Sequence, residues 1–156
     1  MRWVHVLTGF RGRIGRLVFW LGLINLLIVE IVLSFLFAGI MRPTGATSVE
    51  LAALWLALAI LLWVSATLIV KRLHDRDRSA LWYPLYGLAP VLAYKLGVVF
   101  SSNISNVLSP AQQGFWLLSV ALWIWAIVEL GFLKGTTGPN RFDPDPLGQK
   151  QSEATA

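Results

Sequence analysis

His74 and Asp75 stand side by side among Lys71, Arg72, Arg76 and Arg78, the one place in this sequence where a base, an acid and phosphate-binding cations meet. An imidazole beside a carboxylate could activate water against a lipid phosphate. The other parts of that chemistry are missing. A metal phosphohydrolase needs a second histidine or carboxylate set, and this chain has only His5 and His74 and no cysteine. Neither a phosphate-cradling glycine motif nor a nucleophile elbow occurs. His74 is read as a hydrogen-bonded interfacial residue. No catalytic residue, metal site or cofactor is assigned, and a non-enzymatic protein is expected.

Three further ionisable residues, Glu30, Lys95 and Glu129, interrupt long apolar runs. A lone charge at mid-bilayer is costly and faces protein or water. At the helical rise, Glu30 and Lys95 both lie about 20 Å into their runs, which predicts a pair if the two helices are neighbours. The alternative is a protonated Glu30 and a Lys95 that snorkels outward. Glu129 lies only about 6 Å from the end of its run, within reach of Arg72 or Arg76. A proton relay needs a chain of titratable groups, which two carboxylates at different depths do not supply.

The elements that position these residues are marked by apolar length. The runs 17–41, 51–70, 81–100 and 115–133 each reach the roughly 20 residues that carry a helix across the bilayer. The composition agrees, with 56% hydrophobic and 13% charged residues and a mean hydropathy of +0.67. An all-α integral membrane fold with four transmembrane helices follows. A signal peptide is the rival reading of the first run, which is longer than such segments usually are. Pro84, Pro90, Gly87 and Gly97 make the third run irregular, and a cavity is expected there. Ala53, Ala57 and Ser65 offer a small-residue stripe for helix packing.

Eleven of the thirteen Lys and Arg residues fall in three segments: Arg2, Arg11, Arg13 and Arg16; Lys71, Arg72, Arg76 and Arg78; and Lys134, Arg141 and Lys150. Basic loops stay cytoplasmic, so these three share a side and the chain is N-in and C-in. Arg42 and the uncharged stretch 101–114 lie opposite. The expected organisation is one membrane domain over 1–146, with an interfacial N-terminal segment, an irregular Gly/Pro-rich C-terminal segment and a flexible cytoplasmic tail at 147–156. The basic pI of about 10.1 is explained by insertion orientation, so nucleic acid is not an expected partner.

The segments Phe10-Arg11-Gly12-Arg13-Ile14-Gly15-Arg16-Leu17-Val18-Phe19-Trp20, Lys71-Arg72-Leu73-His74-Asp75-Arg76-Asp77-Arg78-Ser79-Ala80-Leu81-Trp82 and Gly138-Pro139-Asn140-Arg141-Phe142-Asp143-Pro144-Asp145-Pro146 together resemble the bacterial inner-membrane family called domain of unknown function 805. The chain departs from that family's pattern at Lys71, at Arg76-Asp77 where Thr-Gly is frequent, at Ala80-Leu81 where Gly-Trp is frequent, and at Asp143 where Gly is frequent. The resemblance implies a small multi-pass protein of the bacterial inner (plasma) membrane and brings no activity, substrate or catalytic residue.

All three motifs lie on the predicted cytoplasmic face. Arg11, Arg13, Arg16, Arg72, His74, Asp75, Arg78, Asn140 and Asp145 form the candidate polar layer there, and Asp75 and Arg78, three apart, share a face if the loop is helical. Asp143 and Asp145 are placed to fold back onto the arginines, and Ser79 to cap the third helix. Anionic lipid is the expected ligand of this face, with a membrane or cytoplasmic protein as a further partner and an oligomer left open. The alternative function is a small oligomeric channel or carrier that uses Glu30 and Lys95.

Overall fold

The computed structural model describes residues 7–40, 47–100 and 109–144. Among them the chain is helical and has no strand. Helix α1 spans Arg16–Ile40 and α2 spans Ser48–Asp75. The third apolar run begins with a 3-10 turn at Ala80–Trp82, passes through a π-helical turn at Pro84–Leu88 and becomes α3 at Ala89–Val99. Helix α4 spans Pro110–Ile127 and ends in a second π turn at Val128–Phe132.

Local chemistry explains where these elements start and stop. Thr47 and Glu50 close a capping box at the start of α2, the Thr47 amide donating to Glu50 Oε2 at 2.8 Å and the Glu50 amide donating to Thr47 Oγ1 at 3.3 Å. Two orphan amides of the first turn are thereby satisfied. Helix α4 starts five residues before the apolar run at 115–133, because Ser109 accepts from the Gln112 amide at 3.1 Å and Pro110 occupies the first turn, where its missing N–H costs nothing. The prolines of the third run remove backbone donors, and that run is accordingly broken into three pieces.

Helix α2 continues five residues beyond Val70 and stops in a Schellman turn. The Arg78 amide donates to the Leu73 carbonyl at 2.9 Å and the Asp77 amide to the His74 carbonyl at 3.0 Å. Asp77 holds the left-handed position of the turn at φ 55, where glycine is the usual occupant.

Among the described residues, three helices are long and apolar enough to cross a membrane: Arg16–Gly39, Ser48–Asp75 and Pro110–Phe132. Their apolar side chains are largely exposed along α1 and α2, as at Ile28, Phe35, Leu56 and Leu62. The buried core, formed by Ile14, Phe19, Leu68, Leu73, Tyr86, Ala126 and Leu130, sits at one end of the molecule, here called the cap.

Helix α1 packs on α2, and α3 packs on α4. Gly22 of α1 admits the Leu68 side chain, and Gly97 of α3 lies flush against the Trp116 ring, so that a Cβ at either position would collide with its neighbour. Ser119 donates to the Pro90 carbonyl at 2.9 Å and ties α4 to α3. Between the two pairs, no Cα of α1 comes within 8 Å of α3 or α4, and none of α2 does either. Among the described helical elements, the pairs meet through the two π turns and the Ala80–Trp82 turn. The cap therefore joins two helix pairs that are otherwise separate.

This separation overturns the expected Glu30–Lys95 pair. The two residues sit on different helix pairs, both are exposed, and no ion pair joins them within 4.0 Å. Their matched depth also assumed a uniform α-helical rise, which the 3-10 and π turns before Lys95 do not provide. Of the small-residue stripe, Ala53 is exposed while Ala57 and Ser65 are half-buried, and α2 packs Leu68 against Gly22 of α1. A groove of about 610 Å³ opens between α1 and α2, lined by Gly22, Leu26, Val29, Leu61 and Val64 among others, away from the third run where the prolines and glycines predict a cavity.

Candidate functional site

The three sequence motifs converge at the cap on Asp75, the last residue of α2. Its Oδ1 accepts from Arg13 Nη2 at 3.0 Å and from Nε at 3.2 Å, and its Oδ2 accepts from Arg72 Nη1. Both arginine side chains are fully buried and Asp75 is nearly so. One carboxylate cannot neutralise two guanidiniums, and backbone carbonyls take the remaining donors. Arg13 reaches Thr136 O at 2.6 Å and Gly138 O at 2.8 Å, while Arg72 reaches Leu130 O and Leu133 O, both at 2.5 Å. Those last two are carbonyls that the ending α4 leaves without helical partners, as helix C-termini do. Each guanidinium thus clamps one chain segment to another.

The segment after α4 is drawn over Asp75 from the other side. The Asp75 carbonyl accepts from the Thr136 amide at 2.8 Å and from its hydroxyl at 3.1 Å. Gly135 lies so close to the Asp75 carboxylate that any Cβ there would overlap it. Asn140 donates to the His74 carbonyl at 2.8 Å, and its own side-chain oxygen accepts the amides of Phe142 at 3.0 Å and Asp143 at 3.3 Å. That is the local turn geometry asparagine favours.

His74 is not a dyad with Asp75. Its Nδ1 donates to the Gly12 carbonyl at 3.3 Å, and the ring stacks on Phe142 with centroids 3.9 Å apart. A carbonyl only accepts, so the proton of the neutral ring is on Nδ1. His74 lies beyond the apolar run that ends at Val70. Burial holds its pKa below the ordinary value of 6.5, the Gly12 carbonyl opposes that shift and the Arg141 charge adds to it.

The second charge cluster is formed by Glu129 of the Val128–Phe132 turn, the arginines that follow α2, and Tyr86 of the Pro84–Leu88 turn. Glu129 Oε1 lies 2.9 Å from Arg76 Nη2 and 3.0 Å from Arg78 Nη2. Nε and Nη1 of Arg76 are buried without a hydrogen-bond partner, and Glu129 Oε1 is met off the N–H axes, so its contacts are ion pairs rather than aligned hydrogen bonds. Arg78 Nη1 donates to the Tyr86 hydroxyl at 2.8 Å, and its guanidinium lies 4.9 Å from the Trp82 ring centroid.

Several sequence expectations are refined by this geometry. Glu129 bridges to Arg76, as one of its two candidate partners, and to Arg78; Arg72 instead binds Asp75 and the end of α4. Asp75 and Arg78 do not share a helical face, because the helix ends between them at the Arg76 cap. Ser79 precedes the 3-10 turn but makes no side-chain cap. Arg13 and Arg72 are consumed internally, whereas Arg11 and Arg16 remain exposed. Asp143 meets Arg13 through its carbonyl at 3.4 Å, and Asp145 lies outside the described residues. Sequence reasoning missed Tyr86, Gly135 and Thr136, which carry no local signal, and it also passed over the Thr47-x-x-Glu50 capping box, which that spacing does signal.

Residues 7–144 match the family described as "Protein of unknown function (DUF805)". This chain belongs to the DUF805 family. The match covers all three motifs up to Pro144, and so includes every residue of the Asp75 clamp. Among relatives, "Uncharacterized protein YiiR" of Escherichia coli (strain K12) is 30% identical over 152 residues, covering 89% of this chain and 86% of the relative. "Inner membrane protein YhaH" of the same organism is 29% identical over 141 residues, covering 89% and 88%. No solved structure matches the chain. This DUF805 chain is a membrane protein of a family without assigned activity.

Proposed function

We propose that this DUF805 protein is a non-enzymatic module of the bacterial inner membrane whose basic cytoplasmic face binds anionic phospholipid or a partner protein. In this reading the chain crosses the membrane four times, the broken third run being one crossing. Both termini lie inside and 1–146 forms one domain, the tail at 147–156 lying outside the described residues. The observation that carries it is a surplus of positive charge at the cap. The described residues there include Arg11, Arg13, Arg16, Lys71, Arg72, Arg76, Arg78, Lys134 and Arg141 against Asp75, Asp77, Glu129 and Asp143. Arg11, Arg16 and Lys134 are exposed and take part in no ion pair among the described residues, Arg16 donating to the Phe132 carbonyl at 3.3 Å, which leaves their charge available to phosphate headgroups. The Trp20 indole beside them, bonded to the Gly131 carbonyl at 3.1 Å, suits the headgroup level.

A non-enzymatic reading is supported by the engagement of His74 and Asp75, the nearest thing to an acid and base pair, in structural bonds. The channel or carrier alternative draws no support from Glu30 and Lys95, which are exposed and sit on separate helix pairs. The test is lipid composition around the protein extracted in polymer nanodiscs. Arg11→Gln, Arg16→Gln and Lys134→Gln together should lower the enrichment of anionic lipid, and unchanged enrichment would count against the reading. Single cysteines introduced into the natively cysteine-free chain at Lys134 and Ser48 should be labelled from opposite sides.

A further inference from the structure

The cap holds two clusters in which two guanidiniums share one carboxylate, and they differ in a way that points to a ligand. Around Asp75, the donors of Arg13 and Arg72 end on backbone carbonyls. Around Glu129, Arg76 keeps Nε and Nη1 without an acceptor. The cluster of Arg76, Arg78 and Glu129 therefore carries one surplus positive charge and unused donors together. Both π turns converge on it, since Pro84–Leu88 carries Tyr86 and Val128–Phe132 carries Glu129; such turns recur at functional sites. The Tyr86 oxygen already accepts from Arg78, so its own hydroxyl proton is left to donate.

We propose that Arg76, Arg78 and Tyr86 form a site for one phosphate group, carried on a phospholipid headgroup or free in solution. The proposal rests on the reading of the cap as a lipid-binding face and names the residues that would hold one molecule tightly. A phosphodiester brings a single negative charge, which neutralises the cluster, and unesterified oxygens that suit guanidinium and hydroxyl donors. Arg78 is the way in: its side chain is 32% exposed while that of Arg76 is 16% exposed. Trp82 and Leu81 beside it are exposed apolar residues of the kind that border headgroups. The phosphate meets Arg78 first, with the orphan donors of Arg76 and the buried Tyr86 hydroxyl behind it.

Native mass spectrometry of the full chain released from nanodiscs of mixed phosphatidylglycerol and phosphatidylethanolamine tests this. The wild type should retain one phospholipid after looser lipid is stripped. Arg78→Gln and Tyr86→Phe should each weaken that retention about tenfold or more, the size of a lost charge-assisted bond. Tyr86→Phe keeps the ring packing, so it reads the site even if Arg78→Gln loosens the helix end. If inorganic phosphate at millimolar concentration displaces the retained lipid from the wild type, the site takes soluble phosphate; no displacement identifies the lipid. Undiminished retention in both folded variants overturns the site. Anionic-lipid enrichment that depends on Arg11, Arg16 and Lys134, with no single retained lipid or phosphate, overturns the site and leaves the broader reading standing. Absence of both effects removes both.

Discussion

Arg13 and Asp75, 62 positions apart, meet at 3.0 Å in full burial, and with Arg72 they fasten the N-terminal arm, the end of α2 and the segment after α4 into one knot. Because the two helix pairs otherwise stand apart, this knot is a main tie between them. Asp75→Asn keeps the shape and removes the counter-charge of two buried guanidiniums. Breaking a buried pair in this way costs about 3–5 kcal/mol. Thermal unfolding in detergent should show that loss, and Arg13→Ala should show a loss of similar size.

Gly135→Ala places a methyl group inside the Asp75 carboxylate, which cannot move without releasing Arg13 or Arg72. Overpacking of this kind costs about 1–3 kcal/mol. Proteolysis should then cut the 134–144 segment faster than in the wild type, while α1 and α2 remain protected.

Asp77 occupies the left-handed position of the α2 Schellman turn, where the family frequently has glycine. An L-residue there costs about 1–2 kcal/mol, and the Arg141–Asp77 pair that would be lost is half-exposed on both sides and worth at most about 1 kcal/mol. Asp77→Gly should therefore raise stability modestly, with Tm rising by roughly 2–4 °C per kcal/mol gained. An unchanged or lower Tm would mean that the surface pair outweighs the backbone.

His74 makes the cap sensitive to acid. Its folded pKa lies below the ordinary 6.5, so below that value the unfolded chain binds more protons than the folded one. The neutral ring's contribution is complete above about pH 6.5 and is lost as the pH falls through the lower folded value. The protection factors of the Asn140 and Phe142 amides, exchange being taken relative to the unfolded-chain rate at each pH, should fall on acidification, and His74→Gln should flatten that dependence.

Glu30 and Lys95 should behave as independent residues. Their combined substitution, Glu30→Gln with Lys95→Gln, should equal the sum of the single effects within about 0.5 kcal/mol. Coupling well above that would require α1 and α3 to meet, contrary to the architecture.

Much of this molecule was written in local composition. Apolar length and loop charge are properties of short stretches, so the membrane class and the four apolar runs are readable directly, and α1 begins within one residue of the run that predicts it. The prolines at 84 and 90 likewise announce a broken third run. Three motifs name nearly every residue of the Asp75 clamp except those that bond through their backbone or their smallness. Leu130 and Leu133 act through their carbonyls, Thr136 through its backbone as well as its hydroxyl and Gly135 through a missing Cβ, and backbone roles of this kind leave no side-chain signature.

Only the tertiary structure decided which charges meet. Arg72 is separated from Leu130 by 58 positions and from Leu133 by 61, and a guanidinium goes wherever orphan carbonyls are brought to it, which spacing along the chain does not encode. Depth along a helix can be estimated from the rise per residue, but adjacency between helices cannot. Glu30 and Lys95 share an estimated depth and still sit on separate helix pairs, because contact depends on how those pairs are joined at the cap.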